Sequence, residues 1–134
     1  MTTQLMLAPA VRTWDVLRNA ISESLDDLLT GSVAEVRVTV PGSGQQVIAA
    51  RVGDGQIRLA AAGNDTLMGG ERLTVRDERA VIAVGFSVES SSWGNFYWDW
   101  SDPVDSDLVA SGVIRTMRDI YKVDSDQLEL TVTL

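Results

Sequence analysis

The chain has 134 residues, a net charge of −8, and neither cysteine nor histidine. That length suits one domain that folds without disulfides or metal, and the missing residue types exclude thiol chemistry, Ser-His and Cys-His nucleophiles, and zinc sites built on His or Cys. The negative charge repels phosphate backbones and anionic bilayers, so neither nucleic acid nor membrane is an expected partner.

The opening "MTTQLMLAPAVRTWD" has no cationic start, and Pro9 breaks its short apolar run. It does not read as a signal peptide. No stretch approaches the roughly 18–20 apolar residues of a membrane span, and the expected location is the cytoplasm. Residues 1–10 read as a possible flexible arm on a single domain covering 1–134. From Thr13 the period becomes helical: Trp14, Leu17, Ile21, Leu25 and Leu28 share a face. Thr13 is the natural N-cap and Gly31 the natural C-cap, giving a helix over 13–29.

The period then drops to two. In "AEVRVTV", Val36, Val38 and Val40 alternate with Glu35, Arg37 and Thr39, which is a half-buried strand. "PGSG" turns the chain, "QQVIAARV" is a second strand, "GDG" turns it again, and "QIRLAA" is a third. Short glycine-rich turns between three strands predict an antiparallel meander. After a loop at 63–71, Thr74 and Asp77 approximate a capping box before a short helix over 74–84 that Gly85 stops. The β-branched content of 80–84 also permits a strand there.

"FSVES" and "NFYWDW" read as strands separated by "SSWG". In the second, Phe96, Trp98 and Trp100 share one face while Tyr97 and Asp99 share the other. Asp102 reads as an N-cap with Pro103 at the first helical position. The helix covers 103–121, with Val109, Val113, Met117 and Ile120 on one face. Arg115, Arg118 and Lys122 sit at its C-terminal end, where cations suit the dipole. "QLELTVTL" is a last alternating strand. Strand runs and helices out of strict alternation predict an α+β fold, with helices packed on one twisted antiparallel sheet.

Candidate chemistry is sparse. Asp26/Asp27, Asp105/Asp107 and Asp124/Asp126 are carboxylate pairs of the kind hard cations use, but each has a simpler reading as a helix-face, helix-start or loop charge. No metal is expected. The glycines form no phosphate loop, so no cofactor is expected, and the only lysine is Lys122. An enzyme is not expected. The concentrated feature is aromatic. Of eight aromatic residues, Trp93, Phe96, Tyr97, Trp98 and Trp100 fall within eight positions. Each large aromatic buried removes about 150–250 Å² from water. Phe96, Trp98 and Trp100 therefore read either as core under the long helix or, with Trp93 and Tyr97, as a protein-docking surface.

The run "LTVRDERAVIAVGFSVESSSWGNFYWDW" followed by "DPVDSDLVASGVIRTMRDIYKVDSDQLEL" resembles the YbjN-like, type III secretion chaperone-like (TY-Chap) group, particularly its actinobacterial members. The resemblance rests on Leu73, Gly85, Phe86, Asn95, Phe96, Trp100, Ile114, Arg115, Thr116, Arg118, Asp119, Tyr121 and Val123 and covers about 73–130. It implies a type III secretion chaperone-like α+β fold and a small, acidic, often dimeric, non-enzymatic protein that binds segments of other polypeptides. The strand after the long helix departs from the secretion-chaperone pattern. The expected function is thus a chaperone-like protein-binding module with a protein partner and a homodimeric state. The alternatives are an acidic immunity-type inhibitor of a basic protein and a small-molecule-binding protein.

Overall fold

The computed structural model describes residues 4–7, 13–88 and 95–134. It contains a seven-stranded, wholly antiparallel sheet with α-helices on one face. In chain order the elements are β1 (Gln4–Leu7), α1 (Trp14–Thr30), β2 (Glu35–Thr39), β3 (Gln46–Gly53), β4 (Gln56–Ala61), α2 (Val75–Val84), β5 (Ser87–Val88), β6 (Phe96–Trp100), α3 (Ser106–Arg115) and β7 (Glu129–Thr133). The strand order is β1-β7-β2-β3-β4-β6-β5. The expected meander is β2-β3-β4, and the C-terminal strand inserts between β2 and β1.

Local chemistry explains most boundaries. The Thr13 hydroxyl accepts from the Val16 amide, and Gly31, at φ 86°, closes α1 with its N–H on the carbonyls of Asp27 and Leu28. The capping box of α2 is complete: Thr74 Oγ1 accepts from the Asp77 amide, and Asp77 Oδ2 accepts from the Thr74 amide, both at 3.1 Å. The Thr74 amide is the chief reason the Asp77 carboxyl titrates below the usual carboxylate range.

Three readings need correction. Residues 4–7, read as part of an arm, form an edge strand on β7. Asp102 and Pro103 do not start the last helix. They precede it, joined by a cis peptide bond. Asp105 is the N-cap, its Oδ1 accepting from the amides of Asp107 and Leu108. That helix also does not stay α to its end. Thr116–Ile120 is a π-helical turn, with the Tyr121 amide bonded to the Thr116 carbonyl at 2.9 Å. The Thr116 hydroxyl, fully buried, donates to the Gly112 carbonyl at 2.9 Å.

The core lies between the sheet and the helices. Leu17, Ile21, Leu25 and Leu28 of α1, and Val109, Ala110, Val113 and Ile114 of α3, are buried against Val36, Val38, Ile57, Leu59, Leu130 and Val132. Each such leucine, isoleucine or valine side chain contributes about 1.5–3 kcal/mol by leaving water. The helices α1 and α3 are joined by two hydrogen bonds: Ser22 donates to Asp107 at 2.6 Å and Ser106 donates to Asp26 at 2.5 Å. Two of the carboxylates considered for metal binding are thus engaged in joining the helix pair. Beyond the π turn, the Tyr121 hydroxyl donates to the Ala62 carbonyl at 2.6 Å, tying the helix end to the sheet. Burial pushes that phenol's pKa upward. On the opposite face of the sheet a half-buried row runs through Thr131, Arg37, Ile48, Ala60 and Tyr97.

Candidate functional site

Strand alternation sorts the aromatic cluster onto two faces. Phe96, Trp98 and Trp100 point toward the helices, and Tyr97 and Asp99 toward the open face. The five residues do not act as one surface. Phe96 is 1% exposed and belongs to the core, so as a docking residue it is withdrawn. Tyr97 is half-buried on the open face beneath the Arg58 guanidinium, 5.2 Å from the ring centroid. Arg58 also grips Asp99 through two hydrogen bonds of 2.8 and 3.1 Å, which holds the Asp99 carboxyl below the usual carboxylate range. Trp93 lies outside the described residues.

Trp98 and Trp100 are half-buried on the helix side. Their ring centroids are 4.6 Å apart with planes tilted by 37°, and Phe86 meets Trp98 edge-on at 5.3 Å. Two glycines make room for Trp98. A Cβ on Gly85, the residue closing α2, would stand 2.4 Å from Trp98 Cζ2, and one on Gly112 of α3 would stand 3.0 Å from Cζ3. The indole therefore occupies a slot between the C-terminal end of α2 and the body of α3. The Trp100 Nε1–H is buried with no acceptor among the described residues. An unmade bond of this kind costs about 1–3 kcal/mol unless a partner arrives.

These tryptophans sit at an incomplete sheet edge. On its inner side β6 pairs with β4 along its whole length, from Phe96 opposite Ala61 to Trp100 opposite Ile57. On its outer side β5 reaches only Phe96 and Tyr97. Trp98, Asp99 and Trp100 have no outer strand partner among the described residues. An unpaired edge is a template for another extended chain.

The sequence pointed to the aromatics but not to a second feature, a groove between α1 and α3 lined by Trp14, Arg18, Ile114, Arg115 and Arg118. Its signal was present as helical spacing: Trp14 and Arg18 are four apart, and Arg115 and Arg118 three. The two halves lie almost a chain length apart, so their meeting is not readable locally. Among the described residues no group of three or more acidic residues is placed to hold a metal ion, and no helix is long and apolar enough to cross a membrane.

A family model described as "T3SS (YopN, CesT) and YbjN peptide-binding chaperone 3" matches residues 8–132. No curated protein and no solved structure matches the chain.

Proposed function

The chain belongs to the TY-Chap3 family of peptide-binding chaperones, and from that premise we propose that it binds an extended segment of another polypeptide as a strand added to the outer edge of β6. Main-chain hydrogen bonds to residues 98–100 supply affinity, and the half-exposed faces of Trp98 and Trp100 receive alternate side chains of the guest. The observation that carries the reading is the coincidence of the unpaired edge with the two half-exposed indoles. The role is binding rather than turnover: the family is defined by peptide binding, and the chain has no histidine or cysteine to activate a nucleophile.

A random 12-residue peptide library displayed against the whole chain tests this. The expected result is a set of extended guests whose affinity falls at least about tenfold when alternate backbone amides on one side are N-methylated, and stays within twofold when the other set is, because only one edge of an added strand faces the ladder. Trp98→Leu is expected to weaken the same guests about tenfold or more, in line with the loss of an aromatic anchor. Guests indifferent to both sets of N-methyl groups would remove strand addition. An empty selection would remove peptide binding altogether.

The homodimer is part of the same proposal. The outer edge of β1 has no partner among the described residues, so a second copy has an edge available. Light scattering at about 0.1 mM is expected to give twice the chain mass, and a monomer mass there rejects the dimer.

A further inference from the structure

The groove between α1 and α3 has a charge the rest of the molecule does not explain. The two helices are held together at one end by the Ser22–Asp107 and Asp26–Ser106 bonds. Toward the other end a space of about 250 Å³ lies between them. Ile114, 5% exposed, forms its apolar floor, and Trp14 is half-buried at its wall. Three guanidinium groups line it, those of Arg18, Arg115 and Arg118, against one carboxylate, Asp15, in a chain whose net charge is −8.

The three arginines are not equivalent. Arg118 is clamped by its neighbour Asp119 through bonds of 2.9 and 3.2 Å. Arg18 and Arg115 have no salt bridge or hydrogen bond among the described residues. Two guanidinium forks from different helices, neither held by a hydrogen bond among the described residues although the Arg115 charge also acts on the Asp119 carboxylate, face one groove beside an indole and an isoleucine and match a specific ligand chemistry. Guanidinium planes bind carboxylates through paired N–H donors, and the adjacent apolar wall takes a carbon side chain. The helix-dipole reading of Arg115 accounts for a cation at that end of α3 but not for Arg18 opposite it.

We propose that this groove recognises an acidic residue of a bound peptide, its Asp or Glu carboxylate held by Arg18 and Arg115 and an adjoining apolar side chain resting on Trp14 and Ile114. The inference takes the ligand's class from the peptide-binding reading and is independent of the β6 edge. It assigns the guest a sequence preference in which an overall acidic protein selects an acidic anchor.

The display selection already described reads this out. Asp or Glu next to an apolar residue is expected to be enriched among the guests. For the tightest guest, changing that acid to its amide is expected to weaken binding about tenfold or more in the natural chain and to have less than a twofold effect in the R18Q/R115Q variant, which itself loses a similar factor. Both arginines are exposed, so the variant's thermal unfolding serves as the check that its fold is intact, and the affinity is expected to fall steeply with salt. Guests without acidic enrichment, or a change of less than about threefold in R18Q/R115Q, overturn the proposal while leaving peptide binding in place. Loss of binding in R18Q/R115Q together with indifference to N-methylation supports the groove and removes the β6 edge. An empty selection overturns both.

Discussion

Phe96→Ala is expected to lower the stability of the fold by about 3–5 kcal/mol, the usual cost of emptying a buried phenylalanine site. Phe96 sits 1% exposed on β6, opposite Ala61 of β4 on one side and Val88 of β5 on the other. A domain of this size has about 5–15 kcal/mol in total, so the urea midpoint is expected to drop by about a fifth or more. Phe96→Leu fills most of the volume and is expected to cost less than about 1.5 kcal/mol. The comparison separates the two roles that the aromatic cluster suggests. A surface anchor truncated to alanine would move stability by no more than about 0.5 kcal/mol and would register only as weaker peptide capture. A midpoint within that margin would place Phe96 on a binding surface and contradict the packing described here.

Strand alternation made the two faces of β6 legible before any coordinates. Phe96, Trp98 and Trp100 do lie on the helix side, with Tyr97 and Asp99 opposite. Period alone could not grade exposure within a face, because Phe96 is covered by β5 and the core while Trp98 and Trp100 run past the end of β5. The length of that neighbouring strand is a tertiary fact. Caps were readable where a side chain bonds its own helix, as at Thr13 and Thr74, and where a glycine takes the left-handed turn that ends one, as at Gly31. They misled where two Asp residues compete. Asp102 followed by Pro103 has the better local signature, yet Asp105 makes the capping bonds. The strand Gln4–Leu7 escaped notice because four residues carry too little alternation, and their partner β7 is at the far end of the chain. The arginine groove was invisible for the same reason.

The slot that holds Trp98 leads to the sharpest expectation. Gly85→Ala is expected to destabilise the fold by about 2–6 kcal/mol and to weaken peptide capture about tenfold. Two costs add. Gly85 has φ 140°, a region that non-glycine residues occupy only under strain of about 1–3 kcal/mol. The added methyl would also meet three atoms of the Trp98 indole at 2.4, 2.6 and 2.7 Å, and overpacking of this kind costs about 1–3 kcal/mol. The indole has little freedom to retreat, with Gly112 of α3 against its far edge and Phe86 and Trp100 beside it. Two other glycines separate the terms. Gly42 has φ 76° and open space around its missing Cβ, so Gly42→Ala isolates backbone strain at about 1–2 kcal/mol. Gly70 has neither positive φ nor a close neighbour, and Gly70→Ala is expected to be neutral or to stabilise by up to about 1 kcal/mol. Chemical unfolding gives the order. Near-ultraviolet circular dichroism, sensitive to the coupled pair of indoles, is expected to change only in Gly85→Ala. If Gly85→Ala were no worse than Gly42→Ala and left that spectrum intact, Trp98 would not be wedged against the end of α2, and its place as the platform beside the β6 edge would be lost with it.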